Sequence, residues 1–203
     1  MLTFIGSWLL RRRELSLRLW EKLVDRRIEA HERVIEVVKS LRTVFLIEPF
    51  TIEGPNELAR APAAFFSREA FEACFSECTN AAALSSTWLS TDVKRELNLL
   101  QDYLTSLHAS IGHCPSEVYP QIGNILRQDF IDFSASIEKL AFRFFENDLY
   151  SLKLHKLEEW HKYPIDETER RLRKTAFYER WGEVASICGT LPATPKGKLE
   201  RNS

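Results

Sequence analysis

The first sustained pattern in the chain runs from Trp20 through Val24, Ile28, His31, Ile35, Val38 and Phe45. Its steps are mostly three and four, the spacing that lines side chains along one helix face. Glu14 with Arg18 and Glu29 with Arg33 stand four apart in the acid-first order that supports a helix, and no Gly or Pro interrupts Ser7 to Ile47. The pattern predicts one helix over residues 8–46, about 57 Å long at ~1.5 Å per residue. That is longer than a domain of this size is wide, so one end projects or is covered separately.

Pro49, Gly54, Pro55 and Pro62 break any helix over residues 47–66, leaving a long connection in which Phe50 and Ile52 are the expected anchors. A second helix starts at an expected N-cap, Ser67, with Glu69 in its first turn, and carries Phe71, Phe75, Cys78 and Ala82 on one face. Ala81 to Ala83 suit close helix contact. Ser90, Thr91 and Asp92 offer capping oxygens before the cleanest seam in the chain, Val93, Leu97, Leu100, Leu104, Leu107 and Ile111, which has coiled-coil spacing. After Gly112, Pro115 and Pro120, a fourth helix is predicted from Leu126, Phe130, Phe133, Ile137, Leu140, Phe144, Leu149 and Leu152, extending to Trp160. Pro164 stops it. Asp166 and Glu169 resemble a capping box opening a fifth helix with Phe177, Trp181, Val184 and Cys188 along one stripe, ended by Gly189 and Pro192.

These elements predict an all-α fold: an elongated, mostly antiparallel bundle of about five helices, the first and fourth long and the other three shorter. Residues 1–193 form one helical domain in this reading, the fifth helix covers the overhang of the first, and the aperiodic residues 194–203 are a flexible tail. Seven Gly and eight Pro in 203 residues are too few for a fold of many tight turns. No internal repeat is present, which excludes a solenoid.

Basic and acidic residues cancel to a net charge of -1, so no global field recommends a nucleic-acid partner. The clusters Arg26 with Arg27 and Arg170, Arg171, Arg173, Lys174 are interleaved with Asp25, Glu29, Glu167 and Glu169, as on a solvated helix face. Four cysteines, Cys74, Cys78, Cys114 and Cys188, are too few for a dense disulfide framework and fit a reducing, cytoplasmic home. The basic run Arg11 to Arg13 follows the opening apolar residues instead of preceding them, unlike a secretory signal.

Candidate chemistry is sparse. Cys74 and Cys78, four apart on one helix, with His113 and Cys114 would complete a tetrahedral zinc set, but the spacing is not a knuckle spacing and both helix cysteines border an apolar stripe. Only Glu158 and His161 have the Glu-x-x-His spacing of a di-iron bundle, which needs two such motifs. His31 falls on the first stripe, as a core histidine with satisfied nitrogens would. Asp129 and Asp132 are expected in solvent. There is no P-loop, dinucleotide fingerprint or nucleophile elbow, so no cofactor is expected, and an enzyme is the less favoured class.

Three functions remain, in order: a helical interaction or scaffold protein with a protein partner or self-association; a small-molecule sensor or enzyme with an apolar pocket between helices; and a nucleic-acid-associated protein, the least favoured. The opening ten residues bear on the first. Leu2, Phe4, Ile5, Trp8, Leu9 and Leu10 precede Arg11, Arg12 and Arg13 without an intervening charge. Ten helical residues cover about 15 Å, half a hydrocarbon core. Three readings follow: the segment packs back on the bundle; Phe4, Ile5, Trp8 and Leu9 dip into an anionic leaflet beside the arginines, at the inner face of a membrane; or the arginines flank a longer apolar span.

Overall fold

A computed structural model of the chain describes the backbone of residues 2–10 and, in full, residues 11–47, 59–85, 87–149 and 162–189. The described residues form an all-α fold of seven helices with one short ribbon: α1 (Leu2–Ser40), β1 (Val44–Leu46), β2 (Arg60–Pro62), α2 (Arg68–Ser85), α3 (Thr91–Ile111), α4 (Tyr119–Arg143), α5 (Ile165–Leu172), α6 (Ala176–Glu179) and α7 (Trp181–Ile187). Helix α1 packs on α2 and α4, α2 on α3, and α3 on α4, so four helices enclose the core. Short joints between α2 and α3 and between α3 and α4 make those pairs antiparallel neighbours. The α3 seam is buried at every predicted position, from Val93 to Ile111, as are Leu126, Phe130, Phe133 and Ile137 of α4. Ser67 caps α2 as its type predicts, its Oγ accepting the Ala70 N–H at 3.2 Å.

Helix α1 begins earlier and ends sooner than its pattern predicts. It stops at Ser40, where the Arg42 and Thr43 N–H groups turn back to Lys39 and Ser40 carbonyls at 3.1 Å. Val44, Phe45 and Leu46 then pair antiparallel with Pro62, Ala61 and Arg60. Thr, Val and Phe in succession favour extended backbone, and the ladder supplies tertiary hydrogen bonds that one more helical turn lacks. Phe45 therefore leaves the α1 stripe and stacks edge-on against Phe66.

Only the ends of the 47–66 connection are described; Phe50 and Ile52 lie outside the described residues. The described anchors are Ala61 and Phe65, both fully buried, with Phe65 in a ring cluster with Phe71, Tyr119 and Phe130. Strand β2 lies across α4 at Gly123, where a Cβ would stand 2.5 Å from Phe65 Cβ and 3.0 Å from Ala61 Cβ. Ser134 fastens α4 to α1, donating from Oγ to the Val38 carbonyl at 2.6 Å.

Helix α4 continues into a π-helical turn over Phe144–Asp148, and its predicted extension through Leu152 to Trp160 falls outside the described residues, as does the 194–203 tail. The predicted fifth helix is three. It breaks after Leu172, where Thr175 Oγ1 donates to the Leu172 carbonyl at 2.7 Å, and restarts at Ala176 with its first N–H groups held by Asp129. An acceptor on another helix has replaced the intrahelical carbonyls, which pattern alone does not reveal. These three helices pack on α3 and α4, so they do not cover the overhang of α1 as expected.

The expectation of unpaired cysteines fails for two of the four. Cys114, in the α3–α4 joint, is disulfide-bonded to Cys188 at the end of α7, with 5.3 Å between Cα atoms across a sequence separation of 74. Closing a loop of that length in the unfolded chain stabilises the fold by about 4 kcal/mol in the chain-entropy picture.

Gly123→Ala is expected to destabilise the protein by about 1–3 kcal/mol, because the new methyl meets Cβ atoms fixed to buried backbone. Gly182 in α7 has nothing within 4 Å of a Cβ position, so Gly182→Ala is expected to be neutral or stabilising by up to about 1 kcal/mol. Urea unfolding of the two variants reads the contrast.

Candidate functional site

Every side chain from Arg11 to Leu19 is exposed. Nine consecutive residues make two and a half helical turns, so every face of α1 is open to solvent there. Trp20 is half-buried and Val24 is the first buried position. Leu15, Leu17 and Leu19 are 61%, 53% and 63% exposed, an unusual placement for three leucines within one and a half turns. The α1 backbone is helical from Leu2. Side chains of Phe4, Ile5, Trp8 and Leu9 lie outside the described residues, while Arg11, Arg12 and Arg13 stand exposed on the arm. Over residues 11–19 the segment does not fold back on the bundle. Among the described residues no helix is long and apolar enough to cross a membrane.

The metal candidates do not assemble. Cys74 and Cys78 are neighbours on α2, and the hydrogen bond between their sulfurs holds the Cys74 thiol below its ordinary range and Cys78 above it. Cys114 is spent in the disulfide, and His113 is exposed beside it, its Nε2 3.9 Å from the Cys114 sulfur. No three His, Cys, Asp or Glu residues converge among the described residues.

Three buried polar groups are the most distinctive chemistry of the body. His31 is fully buried, stacked on Phe144 with ring centroids 3.6 Å apart and planes 6° from parallel. Its Nδ1 lies 2.7 Å from the Arg27 carbonyl, and its Nε2 accepts the Ser90 N–H at 3.2 Å. Those partners select the neutral Nδ1–H tautomer. Burial pushes its pKa down to about 4, against the opposing pull of the Arg27 carbonyl. Ser90, at the N-cap of α3, makes no side-chain cap; its backbone N–H serves the imidazole instead.

Glu96 was not singled out by its neighbours in sequence, yet its side chain is 2% exposed. Its carboxylate accepts two bonds from Arg171, at 2.9 and 2.5 Å, one from Tyr163 Oη at 2.9 Å and one from Ser136 Oγ at 2.8 Å. The Arg171 guanidinium also lies over the Tyr163 ring, 4.6 Å from its centroid. Asp129, expected in solvent, is buried. It accepts Tyr103 Oη at 2.8 Å and the N–H groups of Ala176 and Phe177 at 2.7 and 2.9 Å. Burial raises its pKa, and the three donors oppose that rise. Spacing carried a signal for both: Glu96 stands three after Val93 and four before Leu100, and Asp129 three after Leu126 and four before Phe133. Asp132 is the exposed member, bonded by Gln128 at 2.8 Å.

A cleft of about 390 Å³ opens beside these carboxylates, with Arg171 and Lys174 on its rim. Each buried carboxylate already holds three or four donors, so neither has the open valence that general acid–base work requires. They fasten α5 and α6 to α3 and α4. The exposed arginines of α5 pair locally, Arg170 with Glu167 at 3.8 Å and Arg173 with Glu169 at 3.5 Å, as a solvated face does.

Comparison of the chain with protein-family models, with curated proteins and with solved structures finds no match in any of the three.

Two predictions follow from the buried groups. His31 binds a proton less readily folded than unfolded, so its contribution is full above about pH 6.5 and is lost as pH falls from there toward about 4, by up to ~3 kcal/mol. Unfolding free energies of the native chain and of His31→Gln across that range are expected to differ in slope, the variant being flatter. Asp129→Ala is expected to cost about 3 kcal/mol by stranding three buried donors, against less than about 0.5 kcal/mol for Asp132→Ala. Equal losses in urea unfolding would mean the three bonds to Asp129 add nothing.

Proposed function

We propose that this chain is a helical interaction protein that docks on an anionic membrane surface through the projecting half of α1. The observation that carries the reading is the nine-residue stretch from Arg11 to Leu19 exposed on all faces. A helix standing clear of the core, with leucines in water, has apolar surface that only an external partner covers. Its charge selects the partner. Between Leu2 and Lys22 stand five basic and two acidic residues, in a chain whose net charge is -1. Six apolar residues then precede three arginines, the order that places apolar side chains among acyl chains and guanidinium groups among anionic headgroups.

The leaflet such an arm selects is the one rich in acidic lipids, which in cells is the cytoplasmic one. The Cys114–Cys188 bond argues the other way, since disulfides persist in oxidising compartments.

Flotation with vesicles of phosphatidylcholine and phosphatidylserine, beside phosphatidylcholine alone, tests the proposal. Binding is expected only with the anionic lipid, weakening with salt. Arg11→Glu, Arg12→Glu and Arg13→Glu combined are expected to lower partitioning by more than about a hundredfold, at ~1 kcal/mol or more per site, with thermal stability unchanged because all three are exposed. Equal binding to neutral vesicles, or none to either, overturns the reading; concentration-dependent self-association through the same leucines would replace the membrane with a second copy.

A further inference from the structure

A second feature, independent of the arm, lies between α2 and α3. The two helices form a hairpin whose facing positions are Thr79 and Ala82 on one side and Lys94, Leu97 and Gln101 on the other. Beside the small side chains of Ala82 and Ala83 lies a cleft of about 460 Å³, within the range of small-ligand sites. Leu89 and Leu97, both buried, form part of its apolar wall.

Two polar residues of this cleft differ in access. Thr79 Oγ1 is buried away from the opening, with no hydrogen-bond partner among the described residues. Lys94 is half-buried, and no described carboxylate lies within ion-pair reach of its ammonium group. The charged side chain whose field it feels is Arg27, of the same sign, and burial together with that repulsion lowers its pKa. On α3, Lys94 and Gln101 stand seven apart and therefore share a face.

We propose that the α2/α3 cleft binds a small aliphatic carboxylate, its anionic group on the Lys94 ammonium, its chain along Ala82 and Leu97, and Gln101 supplying a hydrogen bond. The single ammonium and the apolar wall set the class. A phosphate is held by converging backbone N–H groups or several cations, and one lysine is the only cation lining this cleft among the described residues. A monoanion with an apolar body satisfies both halves of the surface.

Hexanoate is the probe, with hexanamide as its uncharged counterpart and inorganic phosphate as the competing anion, each titrated into the full chain by amide-resolved NMR. Saturable shifts are expected with hexanoate at α2 and α3 residues around the cleft, with at least about tenfold weaker binding of hexanamide and of phosphate. Lys94→Met is expected to weaken hexanoate at least about tenfold and Lys94→Arg to restore most of it, since the charge is kept. Ala82→Leu, which fills the gap, is expected to abolish the shifts whatever happens at Lys94, and thermal unfolding confirms that each variant is folded. No saturation up to about 10 mM hexanoate, equal binding of the amide, tighter binding of phosphate, or full binding by Lys94→Met each overturns the proposal. None of these outcomes depends on vesicle binding by the arm.

Discussion

Asp129 is a buried carboxylate, and its three donors make that position tolerable. Two come from the first N–H groups of α6 and one from Tyr103 of α3. Removing any donor would leave a buried charge short of partners, so α3, α4 and the start of α6 have one mutual placement. Glu96 repeats the device one helix away, drawing Arg171 of α5 and Tyr163 onto α3. The Cys114–Cys188 bond closes the same region covalently at the other end of α7. The described elements after residue 162 are thus committed to the α3 and α4 side of the body, and none of them covers residues 11–19 of α1.

That commitment explains which parts of the fold were legible in the sequence. The α3 seam, the α4 stripe, the Ser67 cap and the core position of His31 each follow from residues a few places apart, where helical spacing is reliable. The end of α1 at Ser40 and the break at Thr175 do not. Both depend on acceptors brought from far along the chain: β2 for Val44 to Leu46, Asp129 for Ala176 and Phe177. A helix pattern reports which face is apolar and is silent on which distant group offers a better hydrogen bond. Asp129 was misjudged for a related reason. It was read as off the α4 stripe and therefore in solvent, although its spacing from Leu126 and Phe133 puts it on the buried face, and the donors that permit its burial lie 26 to 48 residues away. Glu96, whose cation lies 75 residues away, drew no reading in the sequence. The Cys114–Cys188 pair, 74 residues apart, has no local signature at all.

Charge shows the same contrast between totals and placement. A net charge of -1 argues against a polyanion partner for the chain as a whole. The local picture is uneven. Arg26, Arg170, Arg173 and Arg180 are neutralised by carboxylates three or four residues away, and Arg171, half-buried, pairs with the buried Glu96. The projecting arm holds five cations against two anions, and one lysine lines the α2/α3 cleft.

The backbone of the arm is set by how it is held. A nine-residue segment exposed on all faces would not nucleate a helix by itself, because the first turn costs more than its hydrogen bond returns. Here nucleation is supplied by the packed half of α1, where Val34, Ile35 and Val38 are buried, and the exposed half needs only propagation. Leucine, arginine and glutamate make up eight of the nine residues from Arg11 to Leu19, all strong helix formers. The backbone of the arm is therefore ordered before any partner arrives, and association has only side-chain freedom left to restrict there. This lowers the entropy cost that makes binding by a disordered basic tail weak for its contact area. An ordered helix with leucines and arginines held at fixed spacing thus presents apolar and cationic groups together, which a headgroup boundary requires and a flexible segment with the same composition does not provide.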